Sequence, residues 1–164
     1  MHQVYLSLGS NIQPEVYLPQ SIDLLYKYGT ILKVSSAWES KAVGADGPNF
    51  LNACTLFTTP LRQAELKERV ILPLETKLGR KRSADKFAPR TIDIDIVLFD
   101  DQLCDDKYWR QAFVVIPLAE IYPEYLNPLT REPIINTAAA LRQQIWMKPR
   151  PEVLGHFNGK KTKP

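Results

Sequence analysis

Residues 90–99 read RTIDIDIVLF, and this stretch decides how the chain folds. β-branched residues dominate it, which predicts a strand whose side chains alternate between two faces. The apolar face consists of Ile92, Ile94 and Ile96. The other face carries Asp93 and Asp95, about 7 Å apart at ~3.3 Å per residue. Hard cations such as Mg²⁺ prefer carboxylate oxygen, so the pair predicts a metal site, with a solvated acidic edge strand as the alternative.

The segment just before this strand is strongly basic. Residues 79–90 read GRKRSADKFAPR and contain five cationic side chains, set against the single Asp85. A charged run of this kind is usually a solvated surface. Here it leads directly into the paired aspartates, and arginine beside carboxylate-bound Mg²⁺ is the combination that phosphoryl transfer needs.

Composition limits the class of protein. With 164 residues, the chain is expected to form one domain over 1–164, with a core at about 4–146 and a flexible tail at 147–164. The 45% hydrophobic and 24% charged fractions are those of a soluble globular protein. A net charge of +3 is too small to indicate nucleic acid, and no run approaches the ~20 apolar residues of a membrane span.

Two further absences support a cytoplasmic location as the expectation. The N-terminus lacks a signal-peptide pattern. The two cysteines, Cys54 and Cys104, form neither a disulfide framework nor a zinc-binding spacing.

Hydrophobic periodicity predicts the order β-α-β-β-α-β. The predicted strands cover residues 4–8, 31–38, 50–57, 90–99 and, as a short extended piece, 113–116. The predicted helices cover 14–28, 60–78 with a disturbance at Pro73, and 136–145. Residues 39–49 and 80–90 are predicted loops. This order indicates an α+β fold, a ferredoxin-like α/β sandwich with an antiparallel sheet of four or more strands and both helices on one face.

The common phosphate-binding and nucleophilic motifs are absent from the sequence. There is no GxxxxGK[ST] and no GxGxxG, so a nucleotide would have to be held by side chains rather than by a backbone cradle. The histidines, His2 and His156, lie near the termini, and no Ser-His-Asp or Cys-His arrangement is evident. Covalent catalysis is therefore disfavoured.

Five segments together resemble a known family. In order, they are 5–11 (YLSLGSN), 49–53 (NFLNA), 75–82 (ETKLGRKR), 88–95 (APRTIDID) and 113–121 (FVVIPLAEI). Their spacing is similar to that of the 6-hydroxymethyl-7,8-dihydropterin pyrophosphokinases of folate biosynthesis over about residues 4–123. The resemblance implies transfer of diphosphate from ATP, the co-substrate, to the hydroxymethyl group of the pterin, with release of AMP.

The resemblance also assigns the catalytic residues. Asp93 and Asp95 match the family's metal-binding aspartates, which implies two Mg²⁺ ions that bridge the ATP phosphates. Arg80 and Arg90 match catalytic arginines that bind the phosphates and stabilise charge during transfer.

Five further positions match the family's substrate site. Phe50 and Phe113 correspond to the two aromatics between which the pterin stacks, and ordinary core packing is the alternative for both. Asn52 corresponds to the amide that binds the edge of the pterin, and a buried amide needs specific partners. Ser40 and Val43 occupy positions that complete pterin recognition.

Nucleotide contacts are implied elsewhere. Glu75, Arg82 and Ile96 match positions around the nucleotide, although a helix-surface ion pair is the alternative for Glu75. Phe87 stands where the family usually has Trp in a loop that closes over the ligands.

One segment departs from the family pattern. The family usually carries a longer stretch with a Pro-His pair between the paired-Asp strand and Phe113, and residues 100–112 are shorter and contain no histidine. Tyr108, Trp109 or Arg110 is expected to replace the missing nucleotide contacts, with Arg110 binding phosphate.

The predicted partners are ATP and the dihydropterin, without nucleic acid or membrane, and the chain is expected to be a monomer. A non-catalytic pterin- or nucleotide-binding relative is the main alternative, motivated by the missing histidine. An RNA-binding domain that uses the basic loop is a further alternative, but the sheet lacks an RNP-like aromatic pattern.

Overall fold

A computed structural model of the chain describes residues 1–44 and 46–159. Seven strands form one antiparallel sheet in the order β6-β5-β1-β4-β3-β7, and β2 also pairs with β4. The strands are β1 (His2–Ser10), β2 (Thr30–Val34), β3 (Ala37–Ser40), β4 (Phe50–Thr59), β5 (Asp93–Phe99), β6 (Gln102–Leu103) and β7 (Met147–Arg150). The predicted α+β sandwich is confirmed, with a larger sheet than four strands.

Helices cover both faces of this sheet. In chain order they are α1 (Pro14–Leu25), α2 (Gln63–Leu66), a π-helical turn (Lys67–Ile71), α3 (Leu72–Lys77), a 3-10 helix (Asp106–Arg110), α4 (Ala112–Ile121), α5 (Ile134–Gln144), α6 (Pro151–Leu154) and a second 3-10 helix (Gly155–Gly159). The stretch α1 to α3 packs on one face around the first core, and α4 and α5 pack on the other around the second. The second layer was not predicted.

The paired-Asp strand has the predicted alternation. Ile92, Ile94 and Ile96 lie in the first core. Asp93 and Asp95, which are partly exposed, lie opposite Gly9 and Ser7 of β1. The strand thus separates an apolar layer from a polar site, as its sequence indicates.

Pro73 disturbs its helix through a widened turn. A proline inside a helix has no N–H to donate, and its ring clashes with the carbonyl four residues earlier, here that of Arg69. The π-helical turn Lys67–Ile71 lies just before Pro73 and takes up this misfit, and α3 then starts at Leu72.

The predicted strand 31–38 is two strands. It breaks between β2 and β3 because two serines bind partners outside a regular ladder. The Ser35 hydroxyl accepts a hydrogen bond from the Cys54 N–H. The backbone N–H and hydroxyl of Ser36 both donate to the carboxylate of Glu120 in α4, at 3.0 and 2.8 Å.

The predicted extended piece 113–116 is wrong, since these residues form the first turns of α4. The β-branched run Val114–Ile116 suggested a strand. In the structure α4 is buried along nearly its whole length between the sheet and α5, and burial outweighs the local preference.

The folded core extends beyond the predicted boundary at residue 146. Strand β7 pairs with β3 at the edge of the sheet, where Pro149 is tolerated because an outer strand needs no second ladder. Val153, Leu154 and Phe157 are buried in the first core. Residues 160–164 of the predicted flexible tail lie outside the described residues.

Among the described helices, none combines the length and apolarity that crossing a membrane requires.

Candidate active site

One pocket of about 140 Å³ opens where β1, β4 and β5 meet the start of α4. Its lining includes all of the predicted substrate-binding residues, which are Ser40, Val43, Phe50, Asn52 and Phe113. The same lining contains Asp93, Asp95 and Arg90. The structure therefore brings the predicted aromatic, metal-binding and cationic groups into one cavity.

The two phenylalanines leave room for a flat ligand. Phe50 begins β4, Phe113 lies in the first turn of α4, and both side chains are partly exposed. Among the described residues, neither ring stacks on another aromatic side chain. An aromatic heterocycle could therefore stack on them without displacing a protein ring.

Asn52 can offer a ligand its carbonyl oxygen as an acceptor but not its amide hydrogens as donors. Its side-chain amide is buried and donates to the carbonyl of Trp38 at 3.0 Å and to the hydroxyl of Ser40 at 2.8 Å. Both amide hydrogens are thereby used, and the carbonyl oxygen is left to accept from a ligand N–H. The Ser40 hydroxyl accepts from Asn52 and can donate its own hydrogen into the pocket.

The roof of the pocket joins the two predicted loops. A Cβ atom placed on Gly44 would lie 2.5 Å from the Phe87 ring, so this aromatic ring packs directly on the backbone of the first loop. Gly44 has φ +76°, a conformation that L side chains rarely adopt. Phe87 lines the pocket, in agreement with the predicted lid contact.

The two aspartates have different surroundings. Asp93 accepts hydrogen bonds from Arg80 at 2.7 Å and from Arg90 at 3.0 Å. Asp95 makes no hydrogen bond or ion pair with the described residues. Burial, and then the neighbouring charge of Asp93, raise the pKa of Asp95 to about 6, while Lys67 and Lys107 partly offset this.

These carboxylates fit Mg²⁺. Within the described ranges no three His, Cys, Asp or Glu side chains form a metal cluster, so a protein cage of the zinc or calcium kind is not present. Mg²⁺ is commonly bound by one or two carboxylates, with water and substrate phosphates as its remaining ligands. A partly buried carboxylate that has no hydrogen-bond or ion-pair partner among the described residues, beside a second carboxylate, is the donor set that such an ion requires.

The raised pKa of Asp95 predicts that the free energy of unfolding decreases as the pH rises. The folded protein holds this proton up to pH of about 6, whereas the unfolded chain releases it near its ordinary value of 3.8. The protonated group therefore favours folding, and this contribution is lost as pH rises through about 6. We expect Asp95→Asn to unfold at a higher temperature than the wild type at pH 7.5 in EDTA.

Thermal unfolding of both proteins between pH 4 and pH 8 tests this expectation. The difference should shrink towards zero near pH 4, where both side chains are neutral. A difference that stays constant over the range would show that the Asp95 charge is not the cause.

A second, cationic groove adjoins the pocket and shares Arg90 with it. Its lining includes Arg80, Arg82 and Lys86. The backbone of Arg90 is held in place, because its N–H donates to the Asn11 side chain at 2.8 Å and its carbonyl accepts from the Asn11 N–H at 3.1 Å. The groove offers guanidinium donors to an anionic ligand that extends from the pocket.

The residues predicted to contact the nucleotide lie in different environments. Arg82 lines the cationic groove and pairs with Glu75 at 3.0 Å. Glu75 itself is almost fully buried, with both oxygens occupied by protein donors, so it is not free to meet a nucleotide. The Ile96 side chain packs in the first core on the opposite face of the sheet, and its position around the nucleotide stays a prediction.

The next residues concerned are those of segment 100–112, which were expected to replace the missing histidine contacts. Arg110 ends the first 3-10 helix, is exposed, and is not part of the pocket lining. Trp109 packs against the Tyr125 ring, with centroids 5.9 Å apart. Tyr108 is buried, and burial followed by the charge of Asp95 raises its pKa. None of the three residues expected to replace the missing histidine lines the described pocket.

Sequence reasoning missed other lining residues. Ser7 and Gly9 of β1 lie in the pocket floor, opposite Asp95 and Asp93 in the strand register, and Lys41 lies at its rim. The small residues of the 5–11 segment were a signal for the first two, because side chains next to a ligand site must leave space. Nothing in the sequence distinguished Lys41 from other surface lysines.

Comparison with known proteins gives the same family as the sequence motifs. The sequence profile of the 7,8-dihydro-6-hydroxymethylpterin-pyrophosphokinase (HPPK) family matches residues 5–123. A 2-amino-4-hydroxy-6-hydroxymethyldihydropteridine pyrophosphokinase from Aquifex aeolicus is 37% identical over 144 residues, which cover 82% of this chain and 89% of that protein. One of the same name from Synechocystis is 30% identical, covering 82% of this chain and 73% of that protein.

Solved structures share the fold. The HPPK-DHPS protein of Plasmodium falciparum, solved as wild type with pteroate, superposes with a TM-score of 0.68 at 11% identity. The match covers 96% of this chain and 44% of that one, so this chain spans less than half of the length of that protein. The profile match and the Aquifex relative together decide the family. The chain is a member of the 7,8-dihydro-6-hydroxymethylpterin-pyrophosphokinase family.

Proposed function

We propose that this chain transfers diphosphate from ATP to 6-hydroxymethyl-7,8-dihydropterin, giving the pterin diphosphate and AMP. The observation that carries the proposal is the single pocket in which Phe50, Phe113 and Asn52 adjoin Asp93 and Asp95. Stacking surfaces and a free amide oxygen suit a flat, N–H-bearing heterocycle, and the carboxylates in the same pocket suit a metal-bound polyphosphate.

The reaction needs positioning and charge stabilisation rather than a covalent intermediate. The hydroxymethyl oxygen attacks the β-phosphorus of ATP and loses its proton. The bond from that phosphorus to the oxygen shared with the α-phosphate breaks, and AMP leaves with the electron pair. Arg80 and Arg90 can donate hydrogen bonds to phosphate oxygens whose negative charge changes during the transfer.

We further propose that Asp93 and Asp95 hold two Mg²⁺ ions. Such ions would supply positive charge that neutralises the attacking and leaving oxygens. Asp95, which has no protein partner among the described residues, is the carboxylate available without rearrangement. Asp93 must exchange at least one of its two arginine partners for metal.

We also propose that one chain suffices for activity, because the predicted stacking, amide and metal-binding residues already meet in one pocket within the fold of a single chain. The cationic groove that would receive the phosphates is likewise built within one chain.

Detection of AMP tests the activity. Purified protein with ATP, Mg²⁺ and 6-hydroxymethyl-7,8-dihydropterin should form AMP and the pterin diphosphate in equal amounts, and omission of the pterin should stop AMP formation. Tight binding of both ligands without AMP would instead identify a non-catalytic binding protein.

Removal of one stacking ring should separate the two substrates. We expect Phe113→Ala to weaken pterin binding by roughly 10-fold, because a stacked aromatic pair contributes about 1 kcal/mol beyond the area that it buries. ATP binding should change less than about 2-fold, since Phe113 is absent from the cationic groove.

Calorimetric titration of each ligand measures both effects. Tyr28→Ala is the matched control, because Tyr28 is an exposed aromatic residue outside the pocket. Equal losses for pterin and ATP in Phe113→Ala would argue against the stacking role.

A further inference from the structure

The contacts of Glu75 point to a role that differs from nucleotide binding. This carboxylate belongs to α3, and its side chain is only 2% exposed. One oxygen accepts a hydrogen bond from the Ile94 N–H at 2.9 Å and forms an ion pair with Arg80 at 2.9 Å. The other oxygen accepts from Arg82 at 3.0 Å. A single buried group thus joins a helix, the paired-Asp strand and two arginines.

The bond to Ile94 occupies an open sheet edge. Within the described part of the chain, strand β6 pairs with β5 only at Leu98 and Phe99, so no strand lies beside the outer edge of β5 around Ile94. The Glu75 carboxylate accepts from the Ile94 N–H at this edge. Ile94 lies between the two aspartates in sequence. The carboxylate is therefore fixed to the same backbone that carries Asp93 and Asp95.

Arg80 and Arg90 both pair with Asp93 but differ in their other partners. Arg80 pairs with Asp93 and also with Glu75. Among the described carboxylates Arg90 pairs with Asp93 alone, and its other side-chain hydrogen bond goes to the Lys86 carbonyl. A cation that takes the Asp93 oxygens would therefore release Arg90 from this carboxylate, while Arg80 would keep Glu75.

We propose that Glu75 is a positioning residue, which holds Arg80 in place for the transferring phosphate once Asp93 has passed from the arginines to magnesium. This inference rests on the proposed function. Glu75 itself does not contact the substrate. Arg80 is the donor that stays fixed, and the side chain of Arg90 is the donor that moves. Breaking a buried ion pair by neutralising one partner leaves the other poorly held, so the effect of losing Glu75 should reach the reaction through Arg80.

Glu75→Gln tests the proposal, since it keeps the size of the side chain and removes its charge. We expect kcat to fall about 10- to 50-fold, because an arginine that is loosely held loses much of its value as a preorganised donor. The affinity for a non-hydrolysable ATP analogue should fall less than about 3-fold. Glu68→Gln is the matched control, because Glu68 lies in the adjacent π-helical turn and is exposed.

A double-mutant cycle with Arg80→Ala decides whether Glu75 acts through Arg80. The double variant should be no slower than Arg80→Ala alone. The proposal is overturned if the two losses multiply, if Glu75→Gln behaves like Glu68→Gln, or if the affinity for the ATP analogue falls as much as kcat. A wild type that forms no AMP would instead refute the proposed function.

A measurement on the wild type keeps the proposal testable if Glu75→Gln does not fold. The Arg80 guanidinium group should still rotate slowly when Mg²⁺ and the ATP analogue bind, because Glu75 continues to hold it. Its nitrogen NMR signals report this rotation. Those of Arg90 should change. Release of Arg80 together with Arg90 would contradict the proposal.

Discussion

Asp95→Asn is expected to lower kcat by at least about 10³-fold, which corresponds to roughly 4 kcal/mol of lost transition-state stabilisation. The amide cannot supply the negative charge that Mg²⁺ requires, whereas the carboxylate lies beside Asp93 in the same pocket. The fold should survive, because Asp95 makes no hydrogen bond or ion pair with the described residues. AMP formation at saturating substrates, with circular dichroism as the check on folding, measures the effect.

The matched control is Asp106→Asn, which makes the same change at an exposed position in the first 3-10 helix. It should leave kcat within about 2-fold, as surface substitutions usually do. A folded Asp95→Asn protein that kept more than a tenth of wild-type activity would refute the assignment of Asp95 to metal binding.

Arg90→Ala is expected to have two opposite effects. Turnover should fall about 30- to 1000-fold, the 2–4 kcal/mol that removal of a preorganised donor costs. In the absence of nucleotide, the protein should bind Mn²⁺ more tightly than the wild type does, because Asp93 loses one of its two arginine partners. Free Mn²⁺ measured by electron paramagnetic resonance reports this second effect independently of catalysis.

Arg69→Ala provides the comparison, because Arg69 is 69% exposed and its pairing with Glu65 at 3.8 Å is a weak surface contact. Neither turnover nor Mn²⁺ binding should change in that variant. Unaltered Mn²⁺ affinity in Arg90→Ala would show that the arginine does not compete with metal for Asp93.

The fold was predictable where one periodicity was unambiguous. The alternation of isoleucine and aspartate in 92–96 set the two faces of β5, and the structure has both as predicted. Helix α4 was not predictable in the same way. Its valines and isoleucine favour a strand locally, and only the layer formed with α5 explains why they are helical.

The site was predictable as a set of residue types but not as a network. Motif spacing selected Glu75, and the departure of residues 100–112 from the family pattern suggested Arg110. Neither indicated that the first would be buried under two arginines and the second exposed. Such placement depends on how α3 and the first 3-10 helix pack against β5. That packing is a tertiary property, which neither local preference nor periodicity contains.

The most direct test of the central proposal is the anomalous scattering of Mn²⁺ in crystals of the protein with a non-hydrolysable ATP analogue and 6-hydroxymethyl-7,8-dihydropterin. We expect two Mn²⁺ peaks that bridge Asp93 and Asp95 to the phosphates, with the pterin stacked between Phe50 and Phe113. Full occupancy of both ligands without an anomalous peak beside the two aspartates would contradict the account.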